Sequence, residues 1–263
     1  MSGSYWDGVA REMEGRYHLD EVMAEHKRRV HLDLLGGWCP VPPGGRVLKT
    51  DLFEEALGRD QVLLDWPSSE AGADVHGIDI SREIALRARK RIAEGGRSAR
   101  IGVSDARRLP YRDASFDVVF SCSTLDHFDD RADLLAGLRE AVRVLRPGGR
   151  MVLTLDNPKA LFYPAVRWLA GRGKIGFVLG ETMEDGELRR FLPGLGLEVV
   201  EGGAVYHVPR VVFTAFLRIL RALRMDFLDG LLLRLLRAAE RGYGKPGQYR
   251  SGWYVAYHLR KPG

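Results

Sequence analysis

The stretch from Ile101 to Arg150 constrains the fold of this chain more than any other part of the sequence. An apolar segment ends in Ser104-Asp105-Ala106, and a second apolar segment runs from Phe116 to Cys122. An amphipathic helix follows and ends at Pro147-Gly148-Gly149, ahead of a third apolar segment, Met151 to Leu155. The order strand, strand, helix, strand predicts an α/β fold with a doubly wound, mostly parallel sheet.

Composition narrows the class of protein further. A chain of 263 residues with 45% hydrophobic residues is large enough for one domain with a substantial core. The net charge of +5 comes from basic residues scattered on helical faces, without a basic block interleaved with aromatics, so we expect no nucleic acid partner. Cys39 and Cys122 have neither metal-ligand nor disulfide spacing, which predicts no metal site and a cytoplasmic location.

The same stretch resembles the second half of the class I S-adenosylmethionine-dependent methyltransferase domain of the small-molecule, type 11-like kind. The matching residues are Asp105-Ala106, Leu109-Pro110, Ser115-Phe116-Asp117-Val118-Val119, His127 and Arg143-Val144-Leu145-Arg146-Pro147-Gly148-Gly149. The resemblance implies a seven-stranded Rossmann-like sheet, S-adenosylmethionine as the cofactor and methyl transfer as the activity.

Two acids that follow predicted strands match the adenosine-binding positions of the family. Asp79 ends the strand Ala73 to Ile80, and the resemblance implies that its carboxylate accepts from the ribose hydroxyls, with Ile80 beside it. Asp105 matches the acceptor for the adenine amino group, with Ala106 packed beside the ring. The structural alternatives are a helix N-cap for Asp79 and a turn residue for Asp105.

The first motif departs from the family, because the glycine-rich turn that normally follows the first strand is missing. Lys49 occupies the usual acidic position, and Thr50, Asp51 and Glu55 lie where the turn is expected. In one interpretation these residues contact the cofactor, and the carboxylates of Asp51, Glu54 or Glu55 hold its positively charged methionine end. In the other, the carboxylates are ordinary first-turn acids that suit the helix dipole, and the site has decayed. We favour the first interpretation.

The loop after the fourth strand is the expected entrance to the active site. Ser121 and Leu125 are predicted to contact the cofactor, as the resemblance implies. His127 is a candidate general base for a hydroxyl acceptor, and Asp126 is a candidate to orient its imidazole. The alternative is that His127 only packs over the cofactor.

The remaining chain surrounds this core. Tyr5 and Trp6 near the N-terminus either contact ligand or pack between helices, and we favour packing. About forty residues are inserted before the last strand and predict two amphipathic helices with basic polar faces. The predicted regions are a helical cap (1–45), a cofactor-binding core (46–157), core completion (158–208), a helical lid (209–248) and the last strand (249–263).

The inserted helices leave three interpretations open: a lid over an apolar acceptor, peripheral contact with an anionic membrane through 209–241, or a homodimer interface. We favour the lid. The expected function is methyl transfer to an oxygen or nitrogen of a small, partly apolar metabolite. The alternatives are a scaffold that binds the cofactor without methylating, an inactive partner subunit, and a membrane-docking module.

Overall fold

The computed structural model describes residues 2–13, 15, 17, 19–63, 66, 72–172 and 179–263. The strands of the described chain are β1 (Arg46–Lys49), β2 (Asp74–Asp79), β3 (Arg100–Val103), β4 (Phe116–Cys122), β5 (Leu145–Asp156), β6 (Glu198–Val205) and β7 (Tyr254–Arg260). They form a seven-stranded sheet in the order β3-β2-β1-β4-β5-β7-β6. β1 to β5 pair in parallel, whereas β7 is antiparallel to both β5 and β6.

Helices connect these strands and cover the sheet. They are α1 (Gly3–Glu12), α2 (Glu21–Trp38), α3 (Phe53–Leu57), α4 (Arg82–Glu94), α5 (Arg131–Val144), α6 (Tyr163–Ala170), α7 (Asp185–Phe191), α8 (Arg210–Ala222), α9 (Asp229–Ala239) and α10 (Gln248–Ser251). This architecture confirms the predicted doubly wound fold, including the helical insertion between β6 and β7.

The central strands are apolar on both faces because helices cover both faces. In β4, Val118 and Phe120 join the core that contains residues of α2, α4, α8 and α9, whereas Val119 joins the core formed with α5 and α7. Alternate residues of a strand point to opposite faces, so a buried parallel strand has no polar side. Each fully buried side chain of this kind contributes about 1.5 to 3 kcal/mol through the hydrophobic effect.

One sequence-based boundary differs from the structure. The Pro147-Gly148-Gly149 segment, which predicts a break before the strand, lies inside β5. Phe116 pairs with Leu145 and Val118 pairs with Arg150, so the pairing shifts across this segment. These three residues therefore form an irregularity within β5, and they do not separate the helix from the strand as the sequence predicts.

The N-terminal helices lie against the ends of the parallel strands. Asp7 of α1 accepts hydrogen bonds from the Ser81 hydroxyl (2.5 Å) and the Glu83 amide (3.0 Å) at the start of α4. Gly3 lies so close to Ile80 that a Cβ atom there would be 2.6 Å from the Ile80 carbonyl oxygen. These contacts fasten α1 beside the end of β2.

The inserted helices pack on α2. Leu217 of α8 and Leu232 of α9 are buried in the core that they share with α2. Arg221 donates to Asp20, which precedes α2, and to Asp229, which begins α9. In the described part of the chain, no helix combines the length and apolarity needed to cross a bilayer.

Candidate functional site

Two adjoining cavities lie at the carboxyl-terminal edge of the parallel strands. Parallel strands end at the same edge of a sheet, and open α/β folds bind ligands there. The first cavity has a volume of about 540 Å³ and the second a volume of about 720 Å³. Both volumes include space that is open to solvent.

The first cavity is lined by residues that follow β1, β2 and β3, together with α1 and the loop after β4. These residues are Trp6, Thr50, Asp51, Phe53, Asp79, Ile80, Ile84, Ser104, Asp105, Ala106, Thr124, His127 and Phe128. Seven of the predicted site residues are among them: Thr50, Asp51, Asp79, Ile80, Asp105, Ala106 and His127. The sheet therefore brings together residues that are far apart in the sequence.

Asp79 is held rigidly at the end of β2. Its Oδ1 accepts from the Ser81 amide (2.8 Å) and its Oδ2 from the Leu52 amide (3.1 Å). Burial raises the pKa of Asp79 to about 6, although the two amides partly oppose that shift. Ser81 caps α4 by accepting from the Ile84 amide, so the N-cap role belongs to Ser81 and not to Asp79. The Asp79 carboxylate is thus oriented at the cavity wall.

Asp105 occupies the equivalent place after β3 but has a different environment. Arg107 donates to both carboxylate oxygens, at 3.0 Å from its Nε, and also bonds Asp133. Partial burial raises the pKa of Asp105, but the hydrogen bonds from Arg107 outweigh that effect and leave the pKa below its usual value. Asp105 therefore stays ionised where Asp79 begins to titrate.

A buried ionic network replaces the glycine-rich turn after β1. Lys49 Nζ donates to the Asp51 carbonyl (2.5 Å), Glu54 Oε2 (3.2 Å) and Glu55 Oε2 (2.8 Å). Lys27 of α2 donates to Glu54 Oε1 at 2.7 Å. Burial disfavours a charged lysine, but Glu55 and Glu54 raise the pKa of Lys49 well above its usual range. These bonds hold the start of α3 against the end of β1.

Two predicted cofactor contacts in this network lie outside the lining of both cavities. Lys49 is 1% exposed, and its ammonium is enclosed by its carboxylate and carbonyl partners. Glu55 is fully buried, and its second carboxylate oxygen accepts from the Val62 and Leu63 amides. Both side chains are hydrogen-bonded within the protein and support the start of α3, and their contact with the cofactor stays a prediction.

Asp51 and Glu54 are the carboxylates of this region that reach the cavities. The Asp51 Oδ1 accepts from the Phe53 amide at 2.9 Å. Burial and the nearby Glu54 raise the pKa of Asp51 well above its usual value. Such a carboxyl group ionises more readily when a cation binds beside it, so this wall favours a positively charged ligand.

The loop after β4 supplies His127 to both cavities. Its imidazole makes an edge-to-face contact with Trp6, with ring centroids 5.2 Å apart. Asp126 points inward, accepts from the Asp156 amide (2.6 Å) and the Ser123 hydroxyl, and is absent from the lining of both cavities. Burial raises the pKa of Asp126 to about 6. These hydrogen bonds tie the loop to β5 and do not join Asp126 to the imidazole.

The other two predicted residues of this loop are buried. Ser121 and Leu125 are each 1% exposed and do not line either cavity. Leu125 packs in the core beside α5, where Gly137 leaves room for it, because a Cβ at Gly137 would be 2.6 Å from the leucine side chain. Leu125 therefore anchors the loop that carries His127.

The second cavity is lined mainly by α1, the start of α3 and the ends of β4 and β5. Its lining residues are Tyr5, Trp6, Val9, Met13, Lys27, Asp51, Phe53, Glu54, Ser123, His127, Asp156, Leu179, Arg210 and Tyr254. Tyr5 and Trp6 thus line a cavity and also pack edge to face on each other. The insertion contributes Arg210, whereas α1 contributes three lining residues and Met13 follows directly after it.

Asp156 is a candidate functional residue that the sequence analysis missed. It ends β5, and its Oδ1 accepts from the Trp253 indole at 2.9 Å. Burial and the neighbouring Asp126 raise the pKa of Asp156 to about 7, against the opposing effects of His127 and Arg210. The sequence pattern that could have identified Asp156 is an acid at the end of an apolar strand, the same pattern that identified Asp79 and Asp105.

Comparison with known proteins agrees with this geometry. A family model described as a methyltransferase domain matches residues 53–153. The 27-O-demethylrifamycin SV methyltransferase of Amycolatopsis mediterranei is 36% identical over 57% of this chain and 48% of its own length. A ubiquinone/menaquinone biosynthesis C-methyltransferase of Desulfotalea psychrophila is 36% identical over 54% of this chain and 60% of its own. The matched part spans 31% to 60% of the first curated relatives.

Solved structures support the fold alone. A methyltransferase of Thermotoga maritima aligns over 97% of this chain and 99% of its own length, with a TM-score of 0.59 and 16% identity. The [4+2]-cyclase SpnF aligns over 89% of this chain and 80% of its own, with a TM-score of 0.57 and 22% identity. Residues 53–153 therefore match the methyltransferase-domain family, and the seven-stranded fold is the one that these solved structures share, in agreement with the predicted resemblance.

Proposed function

We propose that this chain transfers a methyl group from S-adenosylmethionine to an oxygen or nitrogen of a small, partly apolar metabolite. The observation that carries the proposal is the common wall of the two cavities, formed by Trp6, Asp51, Phe53 and His127. Methyl transfer needs a donor and an acceptor aligned across a short distance, and two cavities with a shared wall suit that requirement.

The first cavity suits the cofactor. In this proposal Asp79 accepts from the ribose hydroxyls, and Asp105 accepts from the adenine amino group beside Ala106. Asp51 opposes the positive charges of the methionine amino group and the sulfonium, and Glu54 remains paired with Lys27 and Lys49. When bound, the cofactor supplies an electrophilic methyl group on its sulfur atom.

The second cavity suits the acceptor. Aromatic side chains provide apolar walls, and His127 and Asp156 provide groups that can hold a proton. His127 removes the proton of the acceptor, and Asp156 favours the protonated imidazole electrostatically. Asp126 is a positioning residue that acts through the Asp156 amide and Ser123.

The proposed regions follow from the same arrangement. Residues 1–45 cover the second cavity, 46–157 hold the cofactor, 158–208 complete the sheet, 209–248 contribute Arg210 to the acceptor wall, and 249–263 form the last strand. Cys39 and Cys122 are buried thiols, which supports a reducing compartment such as the cytoplasm.

A second candidate is a scaffold that keeps the cofactor without methylating, or that serves as an inactive partner subunit. The observation that favours it is the replacement of the glycine-rich turn by the Lys49 network. The element that accepts the methyl group is a further open alternative, because relatives named as O-, N- and C-methyltransferases all match this chain.

Isothermal titration with S-adenosylmethionine and S-adenosylhomocysteine tests the proposal. We expect the intact protein to bind both, and Asp79→Ala to raise the Kd about 5- to 150-fold, as for hydrogen bonds to a charged group. Asp113→Ala removes a carboxylate whose side chain is 80% exposed and is the matched control. Absence of binding by the intact protein would rule out the methyltransferase. Binding without transfer to any acceptor would favour the second candidate.

A further inference from the structure

The α8–α9 segment exposes a row of large apolar side chains. We define the apolar row as Val212, Phe216, Ile219 and Leu223 near α8, Phe227 in the connection, and Leu231 and Leu235 of α9, which are 42% to 78% exposed. The spacing of three or four residues places the members within each helix on one face. Monomeric proteins rarely expose an apolar row of this extent without a partner.

The row is separate from the face with which the helices pack on the protein. Ile219 is 59% exposed while the next residue, Leu220, is 6% exposed, and Leu231 at 54% precedes Leu232 at 7%. Consecutive helical residues are about 100° apart, so the exposed row lies roughly a quarter turn from the buried leucines. The fold therefore uses one apolar face of each helix and leaves a second one exposed.

Five arginines accompany the apolar row. Arg218, Arg224, Arg234, Arg237 and Arg241 are exposed and have no ion pair within the described part of the chain. The three acids of the same segment bond other groups: Asp226 and Asp229 pair with Arg221, and Glu240 bonds His26, so the seven arginines of residues 209–241 outnumber the acids. The segment thus presents apolar surface and uncompensated positive charge together.

We propose that the α8–α9 face docks on an anionic lipid surface. Helices with apolar side chains next to arginines lie in the plane of a bilayer interface, with the apolar groups at the acyl boundary and the cations at lipid phosphates. A two-fold dimer through the same face would bring two sets of five arginines together, and this repulsion disfavours a second copy as the occupant. The proposal does not depend on methyl transfer.

Sedimentation of the full chain with vesicles tests this proposal. We compare phosphatidylcholine vesicles with vesicles that also contain phosphatidylserine, at low salt and at about 0.5 M salt, where screening is strong. We expect binding to the anionic vesicles that falls with salt. Equal binding to both compositions, or no binding to either, would overturn the proposal.

Variants separate this face from the rest of the surface. Ile219→Ser with Leu223→Ser, and Arg234→Glu with Arg237→Glu, should each weaken vesicle binding, the arginine pair by at least about tenfold. Leu86→Ser and Arg139→Glu change exposed helical residues elsewhere and should bind as the unaltered chain does. Sedimentation velocity without lipid completes the test. If the row variants convert a dimer to a monomer and leave lipid binding unchanged, the occupant is a second copy and the proposal fails.

Discussion

The two ends of the first cavity, which we propose bind the adenosine and the methionine parts of the cofactor, differ in the groups that they offer to a ligand. At the adenosine end, Asp79 is the last residue of β2 and Asp105 lies two residues after β3, as the family pattern predicts. At the methionine end, the amides at the start of α3 are already used, because Leu52 donates to Asp79 and Phe53 donates to Asp51. Backbone recognition through a glycine-rich turn is thus replaced by side-chain charge. The comparison indicates that the adenosine end depends on local geometry and the methionine end on a buried electrostatic network.

The largest expected effect comes from breaking that network. Lys49→Met removes the lysine partner of the buried Glu55, whereas Glu54 keeps Lys27, so we expect a loss of about 3 to 5 kcal/mol in the free energy of unfolding. Urea denaturation measures it. Lys90→Met, whose side chain is 77% exposed, is the control and should have little effect. A loss below about 1 kcal/mol for Lys49→Met would mean that the network does not support the site.

The sequence predicted the adenosine end and not the network, for a physical reason. An acid after an apolar strand is a local pattern, so Asp79 and Asp105 can be recognised without knowing any tertiary contact. The partners of Glu54 come from other elements: Lys27 lies 27 residues away, in a group that appears in the sequence as a short basic run. The structure buries Lys27 to 6% exposure. No local pattern distinguishes such a lysine from Arg28 and Arg29 beside it, which are only partly buried and pair with Glu25 of the same helix.

A third carboxylate, Asp156, extends the pattern of the adenosine end into the second cavity. Its pKa near 7 leaves it partly protonated at neutral pH, and only its ionised form favours the protonated His127. With an acceptor that the protein methylates, we expect Asp156→Asn to lower kcat about a hundredfold and to move the acid-side decline of kcat to lower pH, because no ionised carboxylate then favours the protonated His127.

Asp126→Asn provides the contrast, since Asp126 holds the loop and does not line the acceptor cavity. It should lower thermal stability and leave the acid-side decline at the same pH. If Asp156→Asn does not move the pH–rate profile, Asp156 does not take part in proton transfer.

The pH dependence of cofactor binding tests the charge at the cavity wall. The pKa of Asp79 is raised to about 6 and that of Asp51 is raised as well, so both lose charge as the pH falls. A cationic ligand prefers the ionised carboxylates, and the contribution of Asp79 should therefore be nearly full above pH 7. Below about pH 6 it should weaken by up to tenfold per pH unit. Titration calorimetry from pH 8 to about pH 5 measures this slope, and Asp79→Asn should flatten it. A constant Kd over that range would contradict the assignment.

The smallest expected effect is at Asp105. Its side chain is 29% exposed and already bonds Arg107, so water and the guanidinium compete with an adenine amino group for the carboxylate. We expect Asp105→Ala to raise the Kd for S-adenosylmethionine about fivefold, less than Asp79→Ala does. Because Arg107 keeps the pKa of Asp105 low, this loss should be the same at pH 8 and pH 6, unlike the contribution of Asp79. If Asp105→Ala costs as much affinity as Asp79→Ala, the adenine contact is stronger than its exposure indicates, and the two adenosine-end acids act as equals.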